Sequence, residues 1–214
     1  MLHRLFVLLA AAAGACLAGS AAIAHPHVWV VMKSEVAYAP DGSVTGVRHA
    51  WTFDDMFSTF ATQGLAQKTK GVFTREELAP LAEVNMTSLK DFDYFTFGKV
   101  DDKKVSFGAP KDYWLEFKNN ELTLHFTLPL AAPVKAKALG FEVYDPSYYV
   151  DFAFAEQEPV KLVGAPAACK VAVGKPQELT KELAQLLAQI PQGQQIPENT
   201  YGAQFANKVA IRCP

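Results

Sequence analysis

The chain is poor in clustered positive charge, in long apolar runs and in cysteine, and each shortage narrows what it can be. Lysine and arginine total 20 against 22 acidic residues, for a formal net charge of −2 over 214 residues. No basic cluster interrupts this balance, so the electrostatic footprint of a nucleic-acid-binding protein is missing. Beyond residue 19 no apolar stretch approaches the ~20 residues that a spanning helix needs. Gly-x-Ser-x-Gly, His-Glu-x-x-His and phosphate-loop patterns are absent. No internal repeat and no βαβ alternation is visible. These absences point to a binding protein and away from an enzyme. Three cysteines occur, which allows at most one intramolecular disulfide.

What is present starts at the N-terminus. Met1–Arg4 is short and basic, Leu5–Gly19 is apolar throughout, and Ala22-Ile23-Ala24 supplies small residues. This is the order of a secretory signal peptide, with cleavage expected after Ala24. A retained anchor and lipid attachment at Cys16 are the alternatives. Cleavage leaves about 190 residues, expected to form a single periplasmic domain, residues 25–214, that does not itself span the membrane. In that oxidising compartment Cys169 and Cys213 are expected to form a disulfide. It would close a loop of roughly 45 residues, worth ~3–4 kcal/mol in the chain-entropy account. Thiolate metal ligation is the weaker use of the pair.

The body of the chain reads as many short strands with a helical insertion. Val28, Val30, Met32, Ser34, Val36 and Tyr38 fall on one strand face. Asp41–Gly42 marks a turn, and a second strand carries Val47, His49, Trp51 and Phe53 on one face, so the two form a hairpin. From about 54 to 91 the spacing becomes helical. Thr74 and Glu77 form a capping box, and Pro80 is expected to kink or break the second helix. Strands resume after Tyr94, with Asn119–Asn120 as a tight turn. A helix is expected over Gln177–Gln189, then a Gln/Pro/Gly-rich loop, within a C-terminal extension from about 169 to 214. The fold class is α+β: a mostly antiparallel, sandwich-like β fold with a two-helix insertion and a C-terminal helix.

Four segments in order, HPHVW at 25–29, WTFDDMFS at 51–58, FDYFTF at 92–97 and YDPSYYVDF at 144–152, resemble the domain of unknown function 1007 family. Its members are described as periplasmic components of an uncharacterised ABC-type transport system. The resemblance implies metal handling beside an inner-membrane transporter. Members often carry an Asp-rich, EF-hand-like loop between the two helices. Here that stretch places Ala66, Lys68 and Lys70 where calcium requires oxygen donors, with Gly71 and Glu77 at the sixth and twelfth positions. Calcium binding is therefore not expected.

The His-Pro-His triplet at the expected cut end is the leading candidate site. His25, as the first mature residue, would offer its α-amine and its ring. His27 lies two residues on, so in extended chain both rings leave the same face. Pro26 lacks the backbone N–H that square-planar copper or nickel ligation through backbone amides would require. Side-chain and amine ligation of zinc, copper or nickel remains. Further candidate ligands are His49, if its strand pairs with the first, His125, on a polar strand face, and Asp145, as ligand or as a partner fixing a histidine tautomer. Asp145 could also simply form an Asx-turn. Asp54, Asp55 and Asp151 are weaker candidates, and Asp54 or Asp55 is expected to cap a helix. The expected function is that of a periplasmic transition-metal-binding accessory protein or metallochaperone. A substrate-binding component for another small ligand and an N-terminal-histidine copper enzyme are the alternatives.

Overall fold

A computed structural model describes residues 26–187 and 201–214. The chain divides into two compact units. One is Pro26–Leu179 with Gln195–Pro214; the other combines 1–25 with 180–194. The expected signal peptide, its cleavage point and His25 lie outside the described residues, as does most of the Gln/Pro/Gly-rich loop.

In the larger unit, β1 (Val28–Tyr38) and β2 (Val44–Phe53) form the expected antiparallel hairpin, registered Val30 to Phe53 and Val36 to Val47. The Asp41 carboxylate accepts from the Ser43 amide at 3.0 Å and Gly42 takes φ +81°, so the Asp-Gly turn closes as its residues predict. Helix α1 (Asp55–Thr62) starts at the N-cap Asp54, whose carboxylate accepts from Phe57 N at 2.8 Å. Helix α2 (Arg75–Leu89) opens on the complete Thr74–Glu77 capping box. Pro80 does not break it: α2 runs through that position. The intrahelical bond that proline removes would have used the carbonyl of Glu76, and Glu76 lies in the exposed first turn, where water can serve that oxygen.

The remaining strands are β3 (Thr96–Val100), β4 (Lys103–Val105), β5 (Lys111–Lys118), β6 (Glu121–Val134), β7 (Ala138–Val143), β8 (Val150–Phe154), β9 (Val160–Val163), β10 (Lys170–Val173) and β11 (Asn207–Arg212). Asn119 and Asn120, at φ +54° and +64°, make the tight β5–β6 turn. The strands form two sheets. The first has the order β5-β6-β2-β1-β8 with β9 also on β1, and the second β10-β11-β7-β3-β4. Pairing is antiparallel except along one edge, where β8 runs parallel to residues 28–32 of β1 and β9 parallel to residues 34–37. The two act as one interrupted edge strand, a feature that the alternation pattern does not contain.

The inner faces of the sheets share one apolar core, in which Met32, Trp51, Phe126, Leu128, Phe141 and Ile211 are almost fully buried, with Leu78, Ala82 and Met86 of α2 joining it. The α+β sandwich expected from the alternation is the observed architecture. The Cys169–Cys213 disulfide is formed, joining the residue before β10 to the residue after β11. In the smaller unit the described part is helix α3 (Lys181–Leu187), whose start is set by Thr180, accepting from Leu183 N at 3.3 Å. The helix begins four residues later than the sequence pattern suggests. Among the described residues no helix is long and apolar enough to cross a membrane.

Candidate metal centre at the start of the first strand

His27 is the residue before β1, and its backbone is held by a neighbour far along the chain. His27 N donates to Tyr149 O at 2.9 Å, and Val28 N shares that carbonyl at 3.3 Å. The parallel register continues Val28 to Val150 and Trp29 to Asp151. Side chains alternate along a strand, so His27 and Trp29 share a sheet face with Tyr149 and Asp151. The His27 and Tyr149 rings lie 4.7 Å apart between centroids. Asp151 stands diagonally across from His27. Partial burial raises its carboxyl above the usual carboxylate range. Burial and then the Asp151 charge push the neighbouring Tyr148 phenol up to about 12, so that phenol stays protonated at neutral pH.

Asp145 sits almost fully buried beneath this corner. One of its oxygens accepts from Ser147 N and Ser147 Oγ, both at 2.8 Å; the other accepts from Val150 N at 3.0 Å. Both oxygens are thus engaged in shaping the 145–150 loop. That loop presents the Tyr149 carbonyl and Asp151 to β1. Asp145 therefore acts here as a positioning residue through its Asx-turn; the structure does not aim it at His27 as a ligand.

His49 is not brought to His27. Its strand does pair with β1, but in a register that sets His49 opposite Ser34. Seven residues of extended chain then separate it from His27, roughly 23 Å. His49 also points inward, into the core. Ser34 Oγ lies 2.9 Å from its Nδ1 and Thr96 Oγ1 3.3 Å from its Nε2. Ser34 is on the first sheet and Thr96 on the second, so the imidazole links the two layers. Complete burial drives its pKa down to about 3, so it is neutral at physiological pH.

His125 shares the outer face of the first sheet with His27, yet it stands opposite Ala50, which pairs with Lys33. That is six positions along β1 from His27, again roughly 20 Å. Its ring stacks on Trp114 at 3.9 Å and 6°, with the Arg75 guanidinium 4.7 Å from the Trp114 ring centroid. A Glu116 carboxylate oxygen lies 3.6 Å from its Nε2. Burial holds the His125 pKa below the usual imidazole value against the pull of Glu116. This is a separate aromatic cluster.

Asp54 serves two elements. Besides capping α1 it accepts from Trp29 N at 2.9 Å. In the EF-hand-like loop, the Glu77 carboxylate accepts from Lys68 N at 2.9 Å and from Thr74 N at 2.8 Å. The residue at the twelfth position is thereby committed to its own backbone, and these bonds hold its pKa below the ordinary value. Cys169 and Cys213 are tied to each other and offer no thiolate. Among the described residues no three His, Cys, Asp or Glu side chains gather as a metal cluster. The pair that the fold does bring to one corner is His27 with Asp151. Sequence pattern ranks Asp151 low, because its place beside His27 comes from a parallel pairing across more than a hundred residues.

A relative from Haemophilus influenzae, an uncharacterised protein, is 24% identical over 195 residues, covering 89% of this chain and 92% of its own. An uncharacterised 15.5 kDa protein of Spirochaeta aurantia is 29% identical over 93 residues, 43% of this chain and 66% of its own. The sequence profile of one family spans residues 9–213. The chain belongs to that family, the proteins of unknown function DUF1007.

Proposed function

We propose that the protein is a periplasmic transition-metal-binding accessory protein, holding zinc, copper or nickel at the head of β1 and exchanging it with an inner-membrane transporter. The observation that carries this reading is the placement of His27 and Asp151 on one sheet face across adjacent parallel strands, over a loop shaped by Asp145. One imidazole and one carboxylate are a donor pair suited to a divalent ion. The His25 ring and, after cleavage at Ala24, the α-amine would complete the set.

The test is native mass spectrometry of periplasm-exported protein offered zinc, copper and nickel, with His25→Ala, His27→Ala and Asp151→Asn variants. The expected result is a chain beginning at His25 with one metal ion, and affinity reduced at least tenfold in each variant. A chain beginning at His25 that takes no metal, or variants that bind as the parent does, would sink the proposal.

A further inference from the structure

The outer face of the second sheet lines a half-open cavity of about 880 Å³, whose lining includes none of His27, Tyr149 and Asp151. Its floor is low because Gly140, Ala172 and Ala210 meet across three adjacent strands. At one end the Phe97 and Tyr144 rings lie 4.6 Å apart, tilted by 33°. Two residues beyond Phe97, and so on the same face, is Lys99. Its direct cross-strand partner is Lys104. Like charges set opposite each other on neighbouring strands repel, and neither ammonium has a carboxylate at ion-pair distance among the described residues. On the rim, Asp93 and Tyr94 both take a left-handed φ of +51°, and Phe95, buried in the core, follows at +48°. This conformation costs roughly 1–2 kcal/mol per non-glycine residue, and such strain collects at ligand sites. Repulsion and strain converge on one cavity.

We propose that this cavity binds a small organic anion with a flat apolar body, its acidic group between Lys99 and Lys104 and its body against Phe97 and Tyr144. The spacing suits an aryl acid, since Phe97 and Lys99 are about 7 Å apart along the strand. Lys208 adds a third ammonium, partly offset by Glu142 at 4.0 Å. Tyr144 keeps its proton, its pKa raised by burial and by Glu142, and can donate to the anion.

The test is isothermal titration of the full mature protein with 2-naphthoate and with its neutral counterpart 2-naphthylmethanol. The expected result is one-to-one binding of the acid, with the alcohol at least tenfold weaker. Lys99→Gln and Lys104→Gln each weaken the acid about tenfold, and Ala210→Phe, which fills the floor, abolishes binding. Glu142→Gln tightens binding severalfold, a gain that misfolding cannot imitate. No binding of 2-naphthoate at millimolar concentration, or equal affinity for acid and alcohol, would overturn the proposal. So would acid binding that survives Ala210→Phe and Lys99→Gln together, since the probe would then sit elsewhere.

Discussion

At the scale of single residues, His49 shows how burial converts a candidate ligand into a structural group. Its folded-state pKa is depressed to about 3, whereas an unfolded chain takes the proton near 6.5. Between those values the unfolded state binds more protons. Stability is therefore fully present above about pH 6.5 and is lost as pH falls toward 3, by about 1.4 kcal/mol per pH unit from this group. Urea melts at pH 7 and pH 4.5 should show a smaller acid loss in His49→Gln than in the parent; equal losses would refute the assignment. Asp145 is the second such residue. Asp145→Ala removes a buried acceptor of three hydrogen bonds and should cost about 2–4 kcal/mol. By loosening the Tyr149 carbonyl, which accepts from His27 N, it should also displace His27 and weaken the proposed metal binding. A variant as stable as the parent in chemical denaturation would contradict this.

Single elements are where the sequence is most legible. The alternation of β1 predicts its buried face, Val28, Val30, Met32, Ser34 and Val36, residue by residue, because strand period is a property of neighbouring residues. The Thr74 cap is equally local. Thr74→Ala should cost about 1 kcal/mol, read from the thermal midpoint, because the Glu77 amide loses its Thr74 Oγ1 acceptor. Pro80 is where a local rule expects a kink or a break and the helix nonetheless continues. Proline opposes helix in an average interior, but here its missing bond falls on an exposed first-turn carbonyl and α2 packs Leu78, Ala82 and Met86 into the core. Packing outweighs the loss without erasing it. Pro80→Ala should raise stability by about 1–3 kcal/mol; a decrease would mean that the ring itself makes an important contact.

For the whole molecule, the two sheets are tied by the shared core, by His49 between Ser34 and Thr96, and by Asn207 Nδ2 donating to Phe152 O at 2.5 Å. The disulfide acts at the same scale. It closes a separation of 44 residues and anchors β11, a central strand of the second sheet. Replacing both cysteines by serine should cost about 3–4 kcal/mol, and amide exchange should rise first in β10 and β11. Uniform loss of protection across both sheets would show instead that the bridge supports the fold globally.

Composition, strand alternation, turn residues and the capping box determined the fold class and most element boundaries by themselves, since each depends on residues close in sequence; the cysteine pairing was legible only on the expectation that Cys16 is removed. Tertiary structure alone decided the corner beside His27. Nothing local tells β1 to accept β8 in parallel or brings Tyr149 and Asp151 beside His27. Those choices are made by strands separated by more than a hundred residues. They are fixed only when both sheets bury their apolar faces together, because a shift of one residue would turn every core side chain outward. The same collective packing stabilises the left-handed Asp93–Phe95 turn, an arrangement that local preference opposes and only the completed sandwich can hold, whereas the Lys99–Lys104 pairing is set locally by the Asp101–Asp102 turn between β3 and β4.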